Sequence, residues 1–398
     1  MPHRPTGASL LDDLRASVRS LPESGILKVF NHGRGKEGLI PLWAGEGDLP
    51  TPGFITDATA RSLAAGETFY TANRGIPELR AALARYHARL YGGPASPDRF
   101  FVVGGGMQAI QLCLQATVGD GDEVLVPSPA WPNFEGAIRI QGARVVSVPM
   151  TLATNGWTLP LDTLFAAAGP RTRAIVVNSP SNPTGWTASR DEMRAILTFA
   201  RSRGLWIIAD EIYGRFCFEG GLAPSFHEWL EPGDRVLFVN TFSKSWAMTG
   251  WRIGWIEAPP ELGPTIESLV QYNTSGVATF MQRGAIAALE DGEDFAVAQI
   301  ARARRGREIV TRALAGLNGV RYVPPAGAFY AFFAIDGIGD TMAAALAMID
   351  EANIGLAPGA AFGDGAQGCF RACFLRSEAP LAEAMERLSV WVRSRSDR

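Results

Sequence analysis

The strongest constraint on this chain is an alternation of short apolar runs with helical segments, in which the chemically capable residues fall just after the apolar runs. Phe101–Val103, Glu123–Val126, Ala143–Val148, Ala174–Val177, Leu205–Ala209 and Arg235–Val239 read as strands. Met107–Thr117 and Arg190–Arg203 carry a helical pattern between them. Strand and helix alternating in this way predict an α/β fold with a mainly parallel sheet covered on both faces. In such sheets ligands bind beyond the carboxyl ends of the strands. The pattern changes from about residue 290. A charged helix, Ala301–Leu314, precedes strands at Arg321–Val323 and Phe329–Ala334. Helices at Thr341–Glu351 and Leu381–Val392 then flank a strand at Phe370–Phe374. This reads as a smaller α+β domain. The expected division is a large domain over 49–290, a small domain over 291–398, and an N-terminal segment, 1–48, packing on the small domain.

Composition narrows the class of partner. Lys+Arg 37 against Asp+Glu 40 gives a net charge of −3, and no basic run suggests a nucleic-acid surface. A small molecule is the expected partner. The cysteines, Cys113, Cys217, Cys369 and Cys373, form no CxxC pair and read as buried thiols. The N-terminus shows no signal-peptide pattern, and no apolar run is long enough to cross a bilayer, so a reducing cytoplasm is expected.

The strand ends carry the chemistry. Gly104-Gly105-Gly106 sits between a strand and a helix, where glycine lets backbone N–H groups approach a phosphate, although tight βα turns use glycine for steric reasons too. A dinucleotide site is disfavoured because the next strand ends Val124-Leu125-Val126-Pro127, without an acid. Asn182-Pro183-Thr184-Gly185 follows another strand and is at least a turn. Leu205–Ala209 ends in Asp210, with Tyr213 nearby; such an acid can act in a site or simply cap a helix. Thr241-Phe242-Ser243-Lys244 ends the next strand, and its lysine lies in an apolar setting. Arg252, between Trp251 and Trp255, is expected to be paired or stacked.

Taken together, these residues resemble the fold-type I pyridoxal-phosphate enzymes, specifically the class I/II aminotransferase family that includes aspartate aminotransferases. The motifs are Ala44-Gly45-Glu46, Gly105-Gly106-Met107-Gln108-Ala109, Pro129-Ala130-Trp131-Pro132-Asn133, Ser181-Asn182-Pro183-Thr184-Gly185, Asp210-Glu211-Ile212-Tyr213, Ser243-Lys244 and Arg252. The resemblance implies a seven-stranded large-domain sheet and pyridoxal 5'-phosphate held as an aldimine on Lys244. Amino groups would move from an L-amino acid to a 2-oxo acid with ping-pong kinetics. It assigns Asp210 to the pyridine nitrogen, Tyr213 and Asn182 to the ring oxygen, and Trp131 to the ring face, where the rival reading is a core aromatic. Gly105, Gly106, Met107, Thr241, Ser243 and Arg252 would cradle the phosphate. Tyr70 resembles the tyrosine that reaches the phosphate of a neighbouring subunit, which implies a homodimer. Arg371, with Arg376 as competitor, would clamp the substrate α-carboxylate, and Gly45, Trp131 and Asn182 would also touch substrate.

Several departures from the family pattern bear on specificity. Met107 stands where a hydroxyl side chain is common, Gly47 replaces a common proline, and Leu27 falls where an arginine is frequent. Lys28 and Arg74 are weak candidates for holding a distal carboxylate, so an uncharged or aromatic donor is as well supported as an acidic one. A carbon–sulfur β-lyase of the same fold and a non-catalytic ligand-binding protein remain the alternatives.

Overall fold

The computed structural model describes residues 10–92 and 96–396; residues 1–9 of the N-terminal segment lie outside the described residues. The large sheet has seven strands: β1 (Phe100–Val103), β2 (Glu123–Ser128), β3 (Arg144–Pro149), β4 (Thr172–Asn178), β5 (Trp206–Asp210), β6 (Val236–Thr241) and β7 (Gly254–Glu257). Their spatial order is β1-β7-β6-β5-β4-β2-β3. The pairs β2–β3, β2–β4, β4–β5 and β5–β6 are parallel. Only β7 runs the other way, antiparallel to both β1 and β6. The six expected strands are present. The seventh, Gly254–Glu257, is not legible in the sequence because its apolar run is only Trp255-Ile256, flanked by Gly254 and Glu257.

Burial on both faces explains why the strands read as continuous apolar runs rather than as alternation. In β2, Val124 and Val126 pack into the cluster on one face, and Leu125 into the cluster on the other. In β4, Ala174 and Val176 face one way while Ile175 and Val177 face the other. The sheet is thereby fixed between helical layers, and its carboxyl rim cannot shift without exposing apolar surface.

The C-terminal part has its own antiparallel sheet, β8 (Val320–Arg321), β9 (Tyr330–Ile335), β10 (Ala357–Pro358) and β11 (Cys369–Cys373), in the order β8-β9-β11-β10. The expected strand at Arg321–Val323 is reduced to Val320–Arg321, since the Pro324-Pro325 pair beyond it has no N–H to pair. The helix expected at Ala301–Leu314 runs from Glu293 to Ala315, begun by an acidic first turn. Helices Thr341–Ala352 and Glu378–Ser396 complete this part. Part of the N-terminal segment joins it: Ile40–Pro41 pairs in parallel with Ile354–Gly355, and helix Gly25–Gly33 contacts Thr341–Ala352. The short helix Ala16–Arg19 instead contacts Asn133–Ile140 beside the large sheet.

Gly306 shows how closely the long helix meets this sheet. A Cβ placed there would lie 2.0 Å from the carbonyl oxygen of Phe374. Glycine inside a helix costs up to about 1 kcal/mol relative to alanine, yet overpacking costs about 1–3 kcal/mol, and the blocking atom is backbone. Gly306→Ala is therefore expected to destabilise the protein, read as a lower urea midpoint. An unchanged or higher midpoint would show that the helix can move away.

Candidate active site

The cavity is built at the carboxyl rim of the large sheet. Asp210 ends β5, in register with Asn178 at the end of β4 and Val239 on β6. Thr241, Ser243 and Lys244 follow at the end of β6. Because β7 runs backwards, its start falls on this same rim, with Gly254 opposite Thr241 and Val103. That reversal delivers Arg252, two residues before β7, to the strand ends. The glycine turn after β1 completes the rim: Gly105 has φ +86° and precedes the helix Gly106–Thr117. A Cβ on Gly105 would lie 2.8 Å from an Arg252 guanidinium nitrogen, so glycine is needed for conformation and for room.

A cavity of about 530 Å³ is lined by Gly45, Gly106, Met107, Trp131, Asn182, Asp210, Tyr213, Thr241, Ser243, Lys244, Arg252 and Arg371. These are all the expected site residues except two. Gly105 does not line the cavity and acts through the turn. Tyr70 is 95% exposed and away from the cavity of its own chain. A larger cavity of about 930 Å³ shares only Trp131 with this one. It lacks the lysine, the buried aspartate and Arg371.

Electrostatics within the cavity are unusual for a folded chain. Lys244 Nζ donates to the Gly45 carbonyl at 2.8 Å and lies 5.8 Å from the centre of the Tyr213 ring. Burial draws its amine down to about 8, with Arg371 pushing the same way and Cys373, Glu46 and Asp210 opposing. Asp210 is buried, and burial raises its carboxyl to about 7 against the pull of the Ile212 N–H and Lys244. One Asp210 oxygen, Oδ1, accepts from the Ile212 N–H at 3.3 Å, whereas Oδ2 is buried without a partner among the described residues. Such an orphan is costly unless a ligand completes it.

Arg371 reaches the cavity from β11, where it pairs with Phe332 of β9 and Ala357 of β10. It is buried, donates to Asn182 Oδ1 at 2.9 Å and to the Trp43 carbonyl, and leaves Nε without a partner. Its guanidinium lies 4.6 Å from the Tyr330 ring centre and 5.0 Å from that of Phe362. Arg376 does not line the cavity. Lys28 pairs with Glu23 at 2.5 Å, and Arg74 with Glu267 at 2.8 Å; neither lines the cavity.

The phosphate-type donors are preorganised. Thr241 Oγ1 lies 2.9 Å from Ser243 Oγ and donates to the Ile253 carbonyl at 3.0 Å. Arg252 is anchored to the Thr249 carbonyl at 2.7 Å. Met107 offers no hydroxyl, and its sulfur accepts from Asn133 at 3.6 Å.

Sequence reasoning missed several cavity residues, among them Tyr330, Asn178 and Trp43. Tyr330 shares a 2.7 Å hydrogen bond with Tyr213, and a Cβ on Gly45 would meet its hydroxyl at 2.6 Å. Asn178 donates to the Asp210 carbonyl at 3.2 Å and accepts from the Asn182 N–H at 2.8 Å. Trp43 supplies a carbonyl to Arg371. Asn178 could have been found as the polar end of an apolar strand. Nothing local marks Tyr330, whose position depends on docking of the small sheet.

Comparison with known proteins agrees with this geometry. The family model for aminotransferase class I and II matches residues 37–388. The aspartate/prephenate aminotransferase of Thermus thermophilus is 36% identical over 88% of this chain and 90% of its own length. The aromatic-amino-acid aminotransferase 2 of Thermococcus litoralis is 35% identical over 92% and 94%. The solved aspartate aminotransferase of Thermotoga maritima superposes with a TM-score of 0.89 at 30% identity, covering 96% of this chain and 100% of that one. With the family match spanning most of its length and a lysine, an unpartnered aspartate and a buried arginine around one cavity, the chain belongs to the class I and II aminotransferases and is a pyridoxal-phosphate-dependent aminotransferase of fold type I.

Proposed function

We propose that this aminotransferase works by two alternating half-reactions, with Lys244 as cofactor anchor and proton carrier and Arg371 as the clamp for the substrate α-carboxylate. The observation that carries the reading is one cavity holding both a lysine drawn down to about 8 and a buried Asp210 oxygen lacking a partner. The donor set fits pyridoxal phosphate. Asp210 Oδ2 suits a protonated ring nitrogen, which would offset its burial cost. The start of helix Gly106–Thr117, Ser243 and Arg252 suit the phosphate dianion, with Thr241, whose own proton goes to the Ile253 carbonyl, positioning Ser243. When bound, the cofactor supplies a ring that accepts the electron pair released as the substrate Cα–H bond breaks.

The remaining work falls to the chain. Neutral Lys244 takes the Cα proton, and its place beside the Gly45 carbonyl keeps the amine within the cavity. Tyr213, tied to Tyr330, and Asn182, tied to Arg371, would donate to the ring oxygen of a bound cofactor, and they hold their neighbours in place. Arg371 presents a planar fork already oriented by Trp43 and Asn182, so little ordering is left for binding. Trp131 lines the cavity, and Gly45, having no Cβ, lets the Tyr330 hydroxyl come close to its backbone.

Specificity follows from the lining. In one subunit, the basic side chains of the cavity are Lys244, Arg252 and Arg371, while Ile26, Trp43, Trp131 and Tyr330 are apolar or aromatic. This supports an uncharged or aromatic amino donor over an acidic one. The differing names of the relatives, aspartate/prephenate and aromatic, leave either to be tested. Phe69, Tyr70 and Tyr272 are 85%, 95% and 86% exposed, a surface suited to a second copy in a homodimer, with Tyr70 reaching the partner's phosphate site. A cytoplasmic setting fits four unpaired cysteines, all buried; no helix among the described residues is long and apolar enough to cross a membrane.

Borohydride reduction of the loaded enzyme is expected to fix the cofactor to the peptide containing Lys244, and Lys244→Ala to abolish turnover while remaining folded; label on another lysine refutes the assignment. With an amine near 8, about a tenth is neutral at pH 7, and the neutral form is the nucleophile. Loading of the cofactor-free protein should therefore accelerate as pH rises toward 8 and level off above it, whereas an unshifted lysine would keep accelerating well beyond. Arg371→Ala should lower kcat/KM roughly a hundredfold, mainly through KM, for every donor alike; a loss confined to acidic donors would make Arg371 a side-chain reader. Mixing the enzyme with single amino acids and following bleaching of the cofactor absorbance should show aromatic and neutral donors reacting faster than aspartate or glutamate.

A further inference from the structure

Glu211, one residue past Asp210, does not line the cavity. Its two carboxylate oxygens lie 2.8 and 2.9 Å from Ser225 Oγ, which lies 2.6 Å from His227 Nδ1. His227 Nε2 is 2.8 Å from Glu257 Oε2, and His87 Nδ1 is 2.9 Å from the same oxygen. Arg99 binds the other Glu257 oxygen at 2.9 Å. Glu211, Ser225, His87 and Glu257 are all buried. Tyr91 stacks on His227 at 4.3 Å and places its hydroxyl 3.5 Å from Glu211, and Phe238 stacks on His227 at 3.9 Å.

His87, His227 and Glu257 present ligand-type atoms within 4.8 Å of one another, a spacing open to a metal ion. The hydrogen bonds argue otherwise. Trp255 Nε1 donates to His87 Nε2 at 3.0 Å, so the His87 proton sits on Nδ1, the atom facing Glu257, and no lone pair is offered there.

Glu257, paired with Arg99, accepts one proton from His227 Nε2, while His87 Nδ1 lies 2.9 Å from the same oxygen without the alignment of a hydrogen bond. Two contacts remain, His227 Nδ1 to Ser225 and Ser225 to Glu211, and each needs a proton between its heavy atoms. Ser225 supplies only one. The second is either on Glu211 or on His227 Nδ1, and moving it through the Ser225 hydroxyl exchanges the two arrangements without changing the total. We propose that Glu211, Ser225 and His227 hold one shared proton, resident on Glu211 at neutral pH, and that this relay is a positioning device for the Asp210–Tyr213 turn.

Burial favours the uncharged arrangement, pushing Glu211 up to about 8, with Glu257 adding to it, and His227 down. Glu211 also anchors the turn by backbone, donating to the Val239 carbonyl at 3.1 Å and accepting from Gly214 at 2.9 Å. Loss of the shared proton leaves either a buried carboxylate without its donor or two lone pairs facing each other across 2.6 Å. Either strains the segment that bears Asp210 and Tyr213. The consequence is an alkaline decline in kcat that belongs to this relay rather than to Lys244.

The inference rests on the proposed role of Asp210 for its effect on rate, but its proton can be observed independently. Infrared difference spectra of the holoenzyme, wild type against Glu211→Gln, should show a protonated-carboxyl band at pH 7 that titrates away near pH 8. Absence of that band overturns the proposal even if the Asp210 reading stands. Glutamine can donate to Ser225 as the acid does, so Glu211→Gln should keep kcat within about twofold and lose the alkaline decline. Ser225→Ala, which cuts the relay, should lower kcat roughly tenfold. Equal losses in both variants with an unchanged pH profile would mean mere packing and refute the relay. If Glu211→Gln does not fold, pH titration of wild-type holoenzyme carrying isotopically labelled glutamate decides by the same band.

Discussion

The structure depends on keeping charged groups out of water without letting them pair with one another completely. Lys244, Asp210 and Arg371 all face one cavity, yet Asp210 Oδ2 and Arg371 Nε have no partner among the described residues. A fold selected for stability alone would pair or remove such groups, because an unsatisfied buried polar atom costs about 1–3 kcal/mol. The layered apolar packing on both faces of the large sheet is what makes this tolerable. It fixes the rim firmly enough that the groups cannot relax toward one another.

The same packing explains how distant segments come to share the cavity. Residues at strand ends arrive by register: Asn178 beside Asp210, and Thr241 beside Gly254. The reversal of β7 brings Arg252 to the rim that the parallel strands reach from the other direction. Arg371 comes from a separate sheet and is held against Tyr330, Phe362 and Asn182. The cavity therefore requires both sheets, and movement of the small sheet would move Arg371 and Tyr330 together.

Behind the rim, Glu211 links the site to a buried hydrogen-bonded row that runs through Ser225 and His227 to Glu257 on β7. The row runs from the turn after β5 through the Phe226–Trp229 turn to β7, so the protonation of one buried acid and the seating of the Asp210 turn are coupled by geometry. This is a different use of a carboxylate from that at Asp210, although the two residues are adjacent. Asp210 faces the cavity with a free oxygen, whereas Glu211 turns both of its oxygens to a serine.

Local order along the chain was enough to determine the alternating architecture and to mark Lys244, Asp210, Asn182 and Arg252, because strand ends and turns are written in neighbouring residues. It also determined the resemblance to one enzyme family, since its motifs are short and ordered. Only the tertiary structure decided the rest. The strand Gly254–Glu257 was hidden because only Trp255 and Ile256 of it are apolar, and only pairing on both sides makes it a strand. Tyr330 joins Tyr213 across a sequence separation of 117 residues, through the docking of two sheets that no local pattern encodes. Hydrogen-bond partners, and hence the protons shared among Glu211, Ser225 and His227, exist only once distant atoms are brought within about 3 Å of one another.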